Sequence, residues 1–185
     1  MQIITGSAKG CQIKVPEKDI RPAKDSVRQA VFSMLYGLVG GAKALNLFAG
    51  SGSYGLEALS QGAKSTTFVD IDKKCVAAIE ANLNTMSFGG RGVVVREDAQ
   101  KYAHRTEDAF DLIFLDPPYS SGAQVHLLKT LAKILTPQGV VIFDHAKETK
   151  IPEEIDGLSL LRQRTYGATT VSLLTHPRNP LAASG

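Results

Sequence analysis

Asp116-Pro117-Pro118-Tyr119 directly follows an apolar run, Phe110 to Leu115, that reads as a buried strand. An acid, two prolines and an aromatic at the carboxyl end of such a strand suit one task. They can hold a planar amino group while a face stacks on its ring. An exocyclic amine on a nucleobase is a weak nucleophile, because its lone pair is delocalised into the ring. Hydrogen bonds from its N–H groups to the Asp116 carboxylate and the Pro117 carbonyl would return density to nitrogen. Pro118 stiffens the turn, and Tyr119 offers the stacking face. Paired nucleic acid hides such an amine, so the target base must be unpaired or flipped out.

A second constellation lies upstream. Leu45-Asn46-Leu47-Phe48-Ala49-Gly50-Ser51-Gly52 runs a strand into a glycine-rich turn, and a helix is expected from Tyr54. Gly50, Gly52 and Gly55 let the backbone turn tightly and approach a ligand closely. The next strand, Phe68-Val69-Asp70-Ile71-Asp72, ends in acids about 20 residues on, where a carboxylate can accept from ribose hydroxyls. Two nucleoside cofactors fit this pattern, NAD and S-adenosylmethionine. The dinucleotide needs a helix N-terminus for its pyrophosphate. S-adenosylmethionine needs a polar hook for adenine instead, and Asp98 in Glu97-Asp98-Ala99 is suited to that. The candidate cofactor residues are Asn46, Phe48, Ala49, Gly50, Ser51, Gly52, Asp70, Ile71, Asp98 and Ala99. With an activated sulfonium methyl on one side and an amine on the other, positioning the two can supply most of the acceleration.

The elements that must position these residues follow from periodicity. Strand-like runs are Ala44–Phe48, Thr66–Asp70, Gly92–Arg96, Phe110–Leu115 and Val140–Asp144, nearly continuous apolar as in a parallel sheet covered on both faces. Helix-like runs are Tyr54–Gln61, Lys73–Met86 and Ala123–Leu135. Leu158–Arg164 and Thr169–Thr175 are strand-like and joined around Tyr166-Gly167, which predicts an antiparallel hairpin. The expected fold is α/β and Rossmann-like: a largely parallel seven-stranded sheet closed by that hairpin. Ahead of it, Gln2–Thr5 and Cys11–Val15 predict a small β-hairpin with a flexible loop. Val27, Ala30, Val31, Met34 and Leu35 form one apolar helical stripe. The expected domains are an N-terminal extension over 1–40, the main domain over 41–176 and a loose tail over 177–185.

Composition bounds the setting. The chain has 185 residues, 43% of them hydrophobic and 21% charged, ordinary for one soluble domain. No apolar stretch reaches the roughly 18 residues of a membrane span, and the first residues lack the blocks of a signal peptide. Cys11 and Cys75 match no zinc or redox spacing, and the four histidines give no ligand pattern, so no metal is expected. Residues 1–44 hold seven basic side chains against three acidic ones, whereas the rest of the chain is nearly balanced. Positive charge gathered there fits contact with phosphate. Arg21, Lys24 and Arg28 are the candidate RNA-binding residues, with Arg162 and Arg164 as possible helpers.

These motifs resemble the 16S ribosomal RNA guanine-N2 methyltransferases, of the class I S-adenosylmethionine-dependent fold. The likeness runs through Gly6 and Lys9-Gly10, Arg21-Pro22 with Asp25 and Arg28, Leu47 to Gly52, Gly55-Leu56-Glu57-Ala58-Leu59, Phe110 to Tyr119, and Tyr166-Gly167. It implies methylation of the 2-amino group of a guanine in small-subunit rRNA. Gly50 and Gly52 would hold the amino acid end of S-adenosylmethionine, Asp70 its ribose and Asp98 its adenine, with Asp116 to Tyr119 on the guanine amine. Asn46 stands where the family commonly has an aspartate, and Asp144 where it commonly has a glutamate. The expected setting is a cytoplasmic monomer acting on 16S rRNA within the small ribosomal subunit or an assembly intermediate. Two alternatives remain open at this point. A DNA adenine-N6 methyltransferase would use the same acid-Pro-Pro-aromatic turn, although no separate DNA-reading domain is expected. An NAD-dependent oxidoreductase would leave that turn idle.

Overall fold

A computed structural model describes residues 1–16, 25–118 and 124–181. The chain divides into two compact units, Met1–Ala99 and Gln100–Gly185, a division that does not fall at the expected boundary of 40 and 41.

The first unit contains the N-terminal hairpin, α1 (Asp25–Met34), β1 (Lys43–Leu47), α2 (Ser53–Ser60), β2 (Ser65–Asp70), α3 (Lys73–Thr85) and β3 (Gly92–Arg96). Its strands run parallel in the order β3-β2-β1. Alternating βα units produce this arrangement, because each helix returns the chain to the same end of the sheet. Asp72 caps α3 by accepting from the Lys74 N–H at 2.8 Å. The hairpin pairs Gln2 with Gln12 through a single antiparallel bridge rather than through full strands. Ile3, Ala8 and Ile13 nevertheless enter one core with Leu56, Leu59, Phe68, Ile79 and Leu83. The N-terminal segment is therefore part of the unit's core.

The loop expected to be flexible is tied down. The Ser7 N–H donates to the Ser60 carbonyl at 2.8 Å, and Gly6 has φ +85°, where an added Cβ would lie 2.0 Å from that oxygen. Only glycine fits there.

The second unit contains β4 (Phe110–Leu115), α5 (Gln124–Ile134), β5 (Leu135–Ala146), β6 (Glu154–Ile155), β7 (Leu158–Tyr166) and β8 (Thr169–Thr175). Its strand order is β4-β5-β8-β7-β6, with β4 and β5 parallel and the rest antiparallel. All seven expected strands form, and the two-residue β6 is added among the described residues. A short helix, α4 (Ala99–Arg105), bridges the unit boundary in sequence and was not expected. The tail expected over 177–185 is anchored through Leu181: Asn179 is buried and donates to the Thr175 hydroxyl.

Candidate functional site

The glycine turn after β1 is built from unusual backbone. Phe48 has φ 53°, Gly50 φ 56° and Gly52 φ 77°. For Phe48, which has a Cβ, the left-handed region costs about 1–3 kcal/mol, and such strain concentrates at functional turns. Asp70 holds the turn. Its Oδ2 accepts from the Gly50 N–H at 2.8 Å and its Oδ1 from the Asp72 N–H at 2.9 Å, so one carboxylate clips the turns after β1 and β2. Gly55 lets α2 lie against β2, since a Cβ there would sit 2.3 Å from Phe68 Cε1. Gly52 precedes α2 at positive φ and offers no side-chain cap of its own to the first turn of the helix.

The remaining candidate cofactor residues differ in exposure. Phe48, Gly50, Asp70 and Asp98 are half-buried, while Ala49, Ser51, Gly52 and Ala99 are buried. Ile71 is 64% exposed, an apolar surface directly after the carboxylate of Asp70. Asn46 is 1% exposed, and its Oδ1 accepts from the Gly55 N–H at 3.1 Å, which ties the first turn of α2 to the end of β1. These features fit an adenosyl group: tight backbone, a carboxylate for diol hydroxyls and an exposed aliphatic surface for a purine face.

In the second unit, Asp116 directly follows β4. The β4–β5 ladder ends with Leu115 paired to Phe143, so Asp116 and Asp144 are the next residues on neighbouring parallel strands. Burial, and secondarily the Asp144 carboxylate, push the Asp116 carboxyl well above its ordinary value. Asp116 is half-buried, Pro117 buried and Pro118 exposed, while Asp144 is only 3% exposed. Tyr119 lies outside the described residues, as do Arg21 and Lys24.

Arg28, expected to face RNA, has a side chain that is 0% exposed. It donates to Asp25 Oδ1 at 3.1 Å and to the Gln2 carbonyl, and its Nε lies 3.6 Å from Glu57 Oε2. Glu57, also 0% exposed, accepts from the N–H groups of Ile4 and Thr5 at 2.8 and 2.9 Å. An arginine enclosed in this way holds the hairpin and α1 to α2 and has no face to offer a phosphate. Sequence reasoning missed Glu57 as its partner; the signal was an acid on the otherwise apolar Leu56-Glu57-Ala58-Leu59. Arg162 and Arg164 on β7 are exposed.

The family model described as conserved hypothetical protein 95 matches residues 1–175. The chain belongs to that family. A relative from Bacillus subtilis (strain 168), YlbH, carried under the provisional name of an rRNA methyltransferase, is 36% identical over 94% of this chain and 97% of its own length. Ribosomal RNA small subunit methyltransferase D of Escherichia coli (strain K12) is 28% identical over 94% of this chain and 88% of its own length. Among solved structures, yhhF from Escherichia coli, provisionally described as a methyltransferase, superposes with a TM-score of 0.84 at 28% identity, covering 95% of this chain and 97% of its own. The chain thus has the Rossmann-like methyltransferase fold, largely parallel with an antiparallel terminal hairpin. Among the described residues, no helix is long and apolar enough to cross a membrane.

Proposed function

We propose that the protein transfers a methyl group from S-adenosylmethionine to the exocyclic 2-amino group of a guanine in 16S rRNA, with the small ribosomal subunit or an assembly intermediate presenting the base. The observation that carries this reading is the Asp116-Pro117-Pro118 turn leaving buried β4, with a carboxyl made unusually basic by its surroundings. The names of the small-subunit relatives support the choice of RNA. The same reading makes the protein a monomer acting in the cytoplasm.

When bound, S-adenosylmethionine supplies an electrophilic methyl on a sulfonium. The chain's own residues do the rest. Asp70 would accept from the ribose hydroxyls with the lone pairs its two backbone donors leave free, Asp98 would take the adenine amine, and Ile71 would cover the purine face. Gly50 and Gly52 let the turn approach the amino acid end. Asp116 and the Pro117 carbonyl accept from the two N–H groups of guanine N2 and aim its lone pair. As the N–C bond forms and the methyl's bond to sulfur breaks, leaving a neutral thioether, the amine becomes acidic and one proton must leave. A carboxyl that binds protons more readily than an exposed aspartate is suited to receive it. Tyr119 stacks on the base, and Arg21 and Lys24 contact phosphates.

Methyl incorporation into small subunits tests this. Asp116→Ala should abolish transfer while affinity for S-adenosylhomocysteine stays near that of the wild type. Tyr119→Phe should keep much of the activity and Tyr119→Ala little. Full activity in Asp116→Ala would refute the assignment.

A further inference from the structure

Asn82 stands on the buried face of α3, beside Cys75, Ala78, Ile79 and Leu83. It is 2% exposed, and a primary amide in that position costs stability unless its donors and acceptor are used. They are used on two different segments. Asn82 Oδ1 accepts from the Lys14 N–H at 2.8 Å, and Nδ2 donates to the Lys14 carbonyl at 3.0 Å. The amide thus pairs with both backbone groups of Lys14, as a neighbouring strand would. The same Nδ2 also donates to the Ser51 carbonyl at 3.3 Å. Ser51 lies between Gly50 and Gly52, both at positive φ, where the orientation of a peptide plane is least constrained by sterics.

The hairpin that Lys14 terminates is anchored a second time, on the helix that follows the turn. Glu57 accepts from Ile4 and Thr5. The Ser60 hydroxyl accepts from the Ala8 N–H at 3.0 Å and donates to the Thr5 carbonyl at 2.6 Å. The N-terminal hairpin therefore holds α2 behind the glycine turn and, through one side chain, the turn itself. Only asparagine meets these three backbone groups at this reach: aspartate cannot donate, and leucine leaves all three unsatisfied.

We propose that Asn82 is a positioning residue for the glycine turn, and that through it the N-terminal hairpin sets the affinity of the turn for the adenosyl cofactor. This rests on the reading of the turn given above. Wild type, Asn82→Ala, Asn82→Asp and Leu83→Ala are titrated with S-adenosylhomocysteine well below their melting temperatures, and amide exchange is followed over residues 49–56. Both Asn82 variants should bind about ten-fold more weakly, as expected for a lost buried hydrogen bond, and should exchange faster over the turn. Leu83→Ala removes a core side chain that packs toward Gly92 and should lower the melting temperature at least as much, with affinity within about two-fold of wild type. Unchanged affinity in the Asn82 variants, or an equal loss in Leu83→Ala, would overturn the proposal. A wild-type protein that binds no S-adenosylhomocysteine would overturn the cofactor reading itself, and the affinity claim with it.

Discussion

Asp116 takes its basicity from two sources of unequal size. Burial is the larger and the Asp144 carboxylate the smaller, and both penalise the ionised form. Asp144→Asn removes only the second. The Asp116 carboxyl then falls toward its ordinary value without reaching it, and the acid limb of the pH–rate profile should move to lower pH. A profile that does not move would mean that another group governs that limb. Arg28 and Glu57 show the opposite use of charge. Neither is exposed, so each compensates the other's desolvation. Glu57→Ala should cost about 3–5 kcal/mol, because it strands a buried guanidinium, and denaturant unfolding measures it. Arg28 was misread from sequence for a physical reason. A lysine- and arginine-rich segment suggests a solvated surface, whereas the burial of one member depends on an acid far along the chain. Asp116 was legible because its meaning is local: an acid, two prolines and a strand end.

At the level of elements, continuous apolar runs identified the strands well, since helices on both faces leave no polar alternation to read. The β5 boundary was less legible. Expected over Val140–Asp144, it spans Leu135–Ala146, because the ladder shifts register between Phe110 and Leu112 and absorbs the extra residues ahead of Val140. α4 was missed because seven residues give too little periodicity, although Ala99, Tyr102 and Ala103 are buried at helical spacing. The β5–β8 pairing buries two polar side chains, His145 and Ser172, whose contact no local pattern reveals. His145 Nε2 meets the Ser172 hydroxyl at 2.8 Å, and Gln163 donates to the same hydroxyl at 2.9 Å. Burial lowers the His145 pKa below its ordinary 6.5, and its bond to the Ala146 carbonyl opposes this only partly. The folded state therefore binds the proton less readily than the unfolded state. Its contribution to stability is complete above about pH 6.5 and is lost as pH falls below that value. Unfolding curves across this range should show that loss, and His145→Gln should flatten it.

For the whole molecule, the two units carry complementary chemistry. Met1–Ala99 holds the glycine turn, the Asp70 clip and the hairpin that braces them; Gln100–Gly185 holds the Asp116 turn and the exposed arginines of β7. The fold was legible as a whole because alternating strands and helices leave few topologies open. The choice between guanine and adenine was not, because the acid-Pro-Pro-aromatic turn serves either exocyclic amine. The decisive measurement is therefore nucleoside mass analysis of 16S rRNA in small subunits incubated with the protein and isotopically labelled S-adenosylmethionine. The label should appear in N2-methylguanosine, and only with an intact Asp116. Label in N6-methyladenosine, or in no nucleoside, would contradict the account.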